Sequence, residues 1–177
     1  MLSFPTDDKT FVYDSIIGVW HTRASSVNEN MHPANCYEYF NGLHLVGHPT
    51  NGKLLYYDFD NYTDDGDMLI RRRRCQAVDA QRKLTFHSCL EVEFEAGTGL
   101  ITGQGSDPQA MLRWSDDGGH QWSNEHWTTI GAIGKYRNRA RWKKLGMSRE
   151  RIYEVAVSDP IKVVLISAYL DAKVGMY

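Results

Sequence analysis

Apolar residues recur along this chain in short runs, each closed by Gly, Pro, Asn or Asp, and the period inside the runs is two rather than 3.6. Thr10 to Asp14 and Gly18 to Thr22 read as strands flanking a brief reversal. Cys36 to Phe40 and Leu43 to Gly47 flank Asn41-Gly42, a pair that accepts the positive φ values of a two-residue hairpin turn. Asn51-Gly52 repeats the device before Lys53 to Asp58, and an acidic loop from Asp58 to Asp67 leads into Met68 to Arg74. A polar stretch at Ala77 to Gln81 follows. Beyond it the predicted strands lengthen: Lys83 to Glu95, Ala110 to Ser115, Gln121 to Thr128, Arg139 to Leu145, Arg151 to Val157 and Ile161 to Asp171. Strict alternation puts Leu90, Val92 and Phe94 on one face and Glu91, Glu93 and Glu95 on the other, as in a half-buried antiparallel strand. Arg139-Ala140-Arg141-Trp142-Lys143 alternates likewise with its basic residues outward, and Ser158-Asp159-Pro160 is a turn between two β runs. Helical pattern is confined to one turn at most, Ser148 to Arg151.

The expectation is an all-β, antiparallel chain with propeller-like hairpins over residues 1–78 and a β-sandwich over 79–177. Phe11-Val12-Tyr13-Asp14 and Leu55-Tyr56-Tyr57-Asp58 align at an offset of 44 residues (58 minus 14), the spacing of a four-stranded propeller blade. Two copies cannot close a ring of about four to eight blades. Either most of a propeller lies upstream of Met1, or these are two unrelated aromatic hairpins.

Composition narrows the partners. A net charge of -2 and a pI near 6.4 give no global attraction to nucleic acid or to an anionic membrane. No apolar run approaches the roughly 20 residues that span a bilayer. The N-terminus has neither a basic leader nor an apolar segment of the signal-peptide kind, so synthesis in the cytoplasm is expected. Cys36, Cys75 and Cys89 are odd in number and lack Cys-x-x-Cys spacing, which points to reduced, partly buried thiols.

Ser115-Asp116-Asp117-Gly118-Gly119-His120-Gln121-Trp122 fits Ser-x-Asp-x-Gly-x-x-Trp at every fixed position. This Asp-box resembles the hairpin signature of sialidases, other propeller enzymes and several non-enzymatic β proteins. Asp and Gly here serve the turn, so Ser115, Asp117, Gly119 and Trp122 are assigned a structural role, with Trp122 packing under the turn. Other chemistry is scattered. Asp58, Asp60, Asp64, Asp65 and Asp67 lack the order of a calcium loop, leaving a solvated acidic turn or a weak cation site. The seven His show no helical ligand spacing, and neither a nucleophile elbow nor a phosphate-binding loop is present. No catalytic residue, metal ligand or cofactor is assigned. Arg71 to Arg74 can present only two members to one face of a strand, so Arg72 and Arg74 become candidates for a salt-bridged interaction surface. Arg137, Arg139, Arg141 and Lys143 form a second candidate, a basic ribbon suited to an acidic protein surface or DNA.

Taken with Leu90-Glu91-Val92-Glu93 and the box, the run Arg139 to Gly146 resembles the packaged-DNA stabilisation proteins, or tail accessory factors, of short-tailed bacteriophages. The likeness continues through Arg149 to Tyr153, Val157 to Lys162 and Ser167-Ala168-Tyr169, and covers Phe11 to Trp20 more loosely. Members are several hundred residues long, so the chain would correspond to their C-terminal part. The resemblance implies a non-enzymatic component of the virion tail. Such a component extends the portal vertex, helps retain DNA, contacts other tail and portal proteins and forms a homo-oligomeric ring, with weak or indirect nucleic-acid contact and no membrane. The competing class is a sialidase-like glycoside hydrolase fragment or a carbohydrate-binding β module, although a single Asp-box is fewer than those enzymes carry.

Overall fold

The structure is a computed structural model and describes residues 1–25 and 29–175. Apart from one 3-10 turn at Pro5–Asp7, its regular elements are strands. No helix of the described residues is long and apolar enough to cross a membrane. Two compact units divide the chain, residues 1–69 and 70–177.

In the first unit, β1 (Leu2–Phe4), β2 (Lys9–Asp14) and β3 (Val19–Thr22) form an antiparallel sheet with β2 in the middle. Asp14 closes the β2–β3 reversal, its Oδ1 accepting from the Ile16 and Ile17 amides at 2.8 and 3.3 Å. A two-residue ladder joins β4 (Ala24–Ser25) to β5 (Asn30–Met31). A second sheet holds β6 (Cys36–Phe40), β7 (Leu43–Gly47) and β8 (Leu54–Tyr56) around the central β7. Asn41 and Gly42 turn β6 into β7 at φ 48° and 79°, the positive values that the Asn-Gly pair predicts. β9 (Thr63–Asp64) and β10 (Asp67–Met68) close a small hairpin within the acidic loop. The segments offset by 44 residues are not equivalent: Phe11 to Asp14 lies in a central strand, whereas Leu55 and Tyr56 lie in an edge strand. The apolar interior is thin, with Ala34 and Val46 buried while Trp20, Tyr37, Tyr39, Phe40 and Tyr56 are exposed.

The second unit contains β11 (Arg71–Arg74), β12 (Val78–Asp79), β13 (Thr85–Phe94), β14 (Gln109–Ser115), β15 (His126–Thr129), β16 (Ala140–Lys143), β17 (Met147–Ser148), β18 (Glu150–Val157) and β19 (Leu165–Val174). One antiparallel sheet runs β11-β18-β14-β15, with β12 also on β18. In the other, β13 has β19 along one edge and β16 and β17 along the opposite edge. The two sheets enclose Leu90, Val92 and Phe94 from β13, Leu112 from β14, Trp142 from β16, and Tyr153 and Val157 from β18. This is the expected β-sandwich, and fully burying a side chain such as Leu112 contributes about 1.5–3 kcal/mol. Thr85 and His87 are buried too, although they sit on the opposite parity to Leu90. A register slip between His87 and Cys89 accounts for this, since a bulge exchanges the two faces of a strand.

Two expectations need correction. The sandwich begins ahead of residue 79, because β11 and β12 pair with β18, a long-range partner invisible to local pattern. The strand expected over Gln121 to Thr128 is only His126–Thr129, because the residues before it belong to the Asp-box loop. Asp159, in the Ser158-Asp159-Pro160 turn, ties down the first residues of β14 and β11, the two neighbours of β18. Its Oδ2 accepts from the Gln109 amide at 2.8 Å and its carbonyl from Arg71 Nη1 at 2.9 Å.

Candidate interaction site

The Asp-box connects β14 to β15, and its polar atoms are spent on its own backbone. Ser115, 1% exposed, donates its hydroxyl to Asp117 Oδ1 at 2.7 Å and accepts the Gly119 amide at 2.9 Å. Asp117 Oδ1 also accepts from the His120 and Gln121 amides, both at 2.9 Å. The Gln121 amide and the Ser115 hydroxyl, helped by the His120 amide, hold the Asp117 carboxyl below its ordinary value. Gly118 and Gly119 take φ of 77° and 100°, values that a side chain resists. Every contact of Asp117 orders the turn.

Trp122 folds back on the turn without being deeply buried. It is half-buried, its Nε1 bonds the Gly119 carbonyl at 3.1 Å, and its ring lies against Arg113 and Arg74, with guanidinium carbons 4.8 and 5.2 Å from the ring centroid. The box therefore folds its Trp onto charge rather than into an apolar layer.

The same two arginines meet Glu154, on the central strand β18 and fully buried. Arg113 from β14 reaches its Oε1 at 2.6 Å, Arg72 from β11 lies 3.2 Å from the same oxygen, and Arg74 bonds Oε2. Alternation along β11 sends Arg72 and Arg74 to the same face, as expected, but their partner is Glu154 of their own sheet. The acidic loop makes its own contacts within the first unit, where Asp64 accepts from Ser25 and Asp65 pairs with Lys53.

Asp116, at the first variable position of the box, forms a two-pronged pair with Arg151, Nε to Oδ1 at 2.6 Å and Nη2 to Oδ2 at 2.7 Å. Arg151 is 2% exposed, donates to the Leu145 carbonyl and lies over the Trp114 ring. Close by, His87 Nε2 and Ser148 Oγ are 2.9 Å apart. That distance suits a nucleophile and its base, but both residues are buried and the nearby carboxylate is held by Arg151 rather than by the imidazole. Burial, then Arg151, pushes the His87 pKa down and keeps the ring neutral. The cluster braces the box against β18 and β13.

The basic ribbon is only partly a ribbon. Arg137 lies in a turn and Arg139 precedes β16, so the regular alternation covers Arg141 and Lys143 alone. Arg139 and Arg141 both bond Glu91 of β13, at 2.7 and 2.5 Å. These bonds lower the Glu91 pKa and neutralise part of the surface that would meet phosphate.

In the first unit, His32 is 6% exposed, and its Nδ1 accepts the Ala34 amide at 3.2 Å. Burial and the Arg23 charge lower its pKa to about 4, against a smaller opposing effect of Asp64. His44 stacks with Tyr37 and meets Tyr39 at a tilt, while His48 Nδ1 accepts from the Thr50 and Asn51 amides. No group of three or more His, Cys, Asp or Glu suited to a metal ion occurs among the described residues. Cys36 and Cys75 are exposed rather than partly buried.

The residues of the second unit that sequence reasoning passed over are Glu154, Arg113, Arg151, Asp116 and His87. Glu154 carried one local signal, a lone charge in an otherwise apolar run, Ile152 to Val157, on the face of β18 opposite the core residues Tyr153, Val155 and Val157. Comparison with known families matches residues 70–173 to the model described as bacteriophage P22 Gp10, beta-sandwich. No curated protein matches the chain.

Proposed function

As the chain belongs to the bacteriophage P22 Gp10 β-sandwich family and is a virion structural protein, we propose that it works in the tail and portal machinery. There it joins other tail proteins at the portal vertex, helps to retain packaged DNA and sits in a homo-oligomeric ring. The observation that carries this reading is the coincidence of the matched span, residues 70–173, with the second compact unit, residues 70–177. Synthesis in the cytoplasm of the bacterial host precedes assembly.

Two further features support action through protein contacts. The β6–β8 sheet exposes Phe40, Leu54 and Tyr56 on one face and Tyr37 and Tyr39 on the other, and exposed apolar side chains of this kind mark interfaces. Contact with DNA is weak or indirect in this reading, because Arg72, Arg74, Arg139 and Arg141 are already paired with carboxylates. Asp117 takes no catalytic role, its carboxylate being committed to the turn. DNA is retained mechanically, by closing the portal exit.

The test is to purify particles assembled with and without the protein. Mass spectrometry should find the chain in mature virions in a fixed ratio to the portal, and particles lacking it should release their DNA. Its absence from purified virions, or full DNA retention without it, would overturn the proposal.

A further inference from the structure

The two long sides of the sandwich differ. On the β15/β16 side, Trp142 Nε1 donates to the His126 carbonyl at 2.8 Å and ties one sheet to the other. On the opposite side, between the edge strands β11 and β19, lies a cavity of about 500 Å³ lined by Val78, Leu90, Val92, Val155, Leu165 and Leu170. Leu90 and Val92 belong to the core, so this seam opens onto the interior of the sandwich. β19 is ten residues long, is paired along one edge with β13, and has no strand on its other edge among the described residues.

A long free edge is a template for another strand, and proteins usually blunt such edges with charge. In β19 the charges, Asp171 and Lys173, are confined to its C-terminal end, and Leu165 to Leu170 carries none. The facing strand supplies the opposite chemistry. Arg73 is exposed, lines the cavity and, unlike Arg72 and Arg74, pairs with no carboxylate among the described residues.

We propose that this seam is a docking groove for an extended, carboxylate-bearing segment of another virion protein. The segment adds a strand to the free edge of β19, and the main-chain hydrogen bonds hold it. Alternate side chains of the segment, which are apolar, enter the groove, because successive residues of a strand face opposite ways. Its carboxylate meets Arg73. A second copy of this chain is the poorer occupant, since Leu165 to Leu170 of another β19 brings no carboxylate to Arg73. The inference rests on the reading of the protein as a virion component. Its test uses the isolated protein and stands apart from incorporation into particles.

The probe is the labelled peptide Glu-Val-Thr-Val-Thr-Val-Glu, compared with a twin carrying Lys at both ends, titrated against the full chain by fluorescence anisotropy. Hydrogen exchange follows β19 in the same samples. The acidic probe should bind saturably and slow exchange in β19, and the Lys twin should bind at least about tenfold more weakly. Arg73→Glu should reverse that preference, and Ala168→Trp, which fills the groove, should abolish binding with the melting temperature unchanged. If Ala168→Trp does not fold, the Arg73→Glu reversal alone decides. Equal binding of both probes, binding without protection of β19, or no saturation at millimolar probe would overturn the proposal. Self-association of the chain that Ala168→Trp abolishes would overturn it as well, by giving the groove to a second copy.

Discussion

Glu154→Gln should be among the most destabilising single substitutions in the sandwich. The change keeps the shape of the side chain and one acceptor oxygen while removing the negative charge that three arginines share. Taking one partner from a fully buried ion pair costs about 3–5 kcal/mol. Here the carboxylate is fully buried, but the side chains of Arg72, Arg113 and Arg74 are 23%, 23% and 52% exposed, so water screens part of the resulting repulsion. A cost of about 2–4 kcal/mol remains. At about 4 °C per kcal/mol for a domain of this size, the second unit should melt about 8–16 °C lower. The arginines are asymmetric with it. Arg74→Gln leaves Glu154 two cations and removes only a half-exposed one, for about 0.5–1 kcal/mol. Arg113→Gln placed on top of Glu154→Gln should restore part of the loss, because it relieves repulsion between neighbours. Calorimetry and urea titration of the four proteins measure this. A Glu154→Gln melt within about 2 °C of the parent, or an Arg74→Gln loss as large as that of Glu154→Gln, would refute the reasoning.

The other expectations concern acid, salt and the box. Because Asp117 has a depressed folded pKa, its stabilising contribution is present above the unfolded value of about 3.9 and is lost as pH falls through the folded value. Asp117→Asn should therefore flatten the acid limb of the melting profile, and an unchanged slope would count against the role given to this carboxylate. His32 works in the first unit with a folded pKa of about 4 against about 6.5 unfolded, so the unfolded chain takes the proton first. Stability should be full above about pH 6.5, decline as pH falls and level off below about 4; an NMR midpoint near 6.5 for His32 would contradict the burial argument. Trp122→Ala should cost roughly 1–2 kcal/mol, less than a fully buried Trp, and should produce no change in a panel of glycosides. DNA binding measured by anisotropy should be weak, unspecific and gone by about 0.2 M salt. Sequence-dependent binding that persists there would show that the paired arginines have another use.

What was legible beforehand was whatever short-range pattern controls. Alternation placed Leu90, Val92 and Phe94 in the core, and Asn41-Gly42 forecast its own positive φ values. The failures share one cause: each depended on which strand lies beside which. Nothing local says that Arg72 and Arg74 will find Glu154, a residue 80 positions after Arg74. Nor does local pattern reveal that Arg139 and Arg141 will meet Glu91 across a strand pair. A run of like charge therefore suggested a free surface where the fold provides a buried partner. Cross-strand pairing spends charge inside the unit, and it leaves Arg73 standing apart from its neighbours. The alternation that turns Arg72 and Arg74 toward Glu154 turns Arg73 toward the other face of β11, beside the apolar seam. At the seam the recognition chemistry is Arg73 beside the uncharged stretch Leu165 to Leu170 of the β19 edge, which suits an extended segment better than a polyanion.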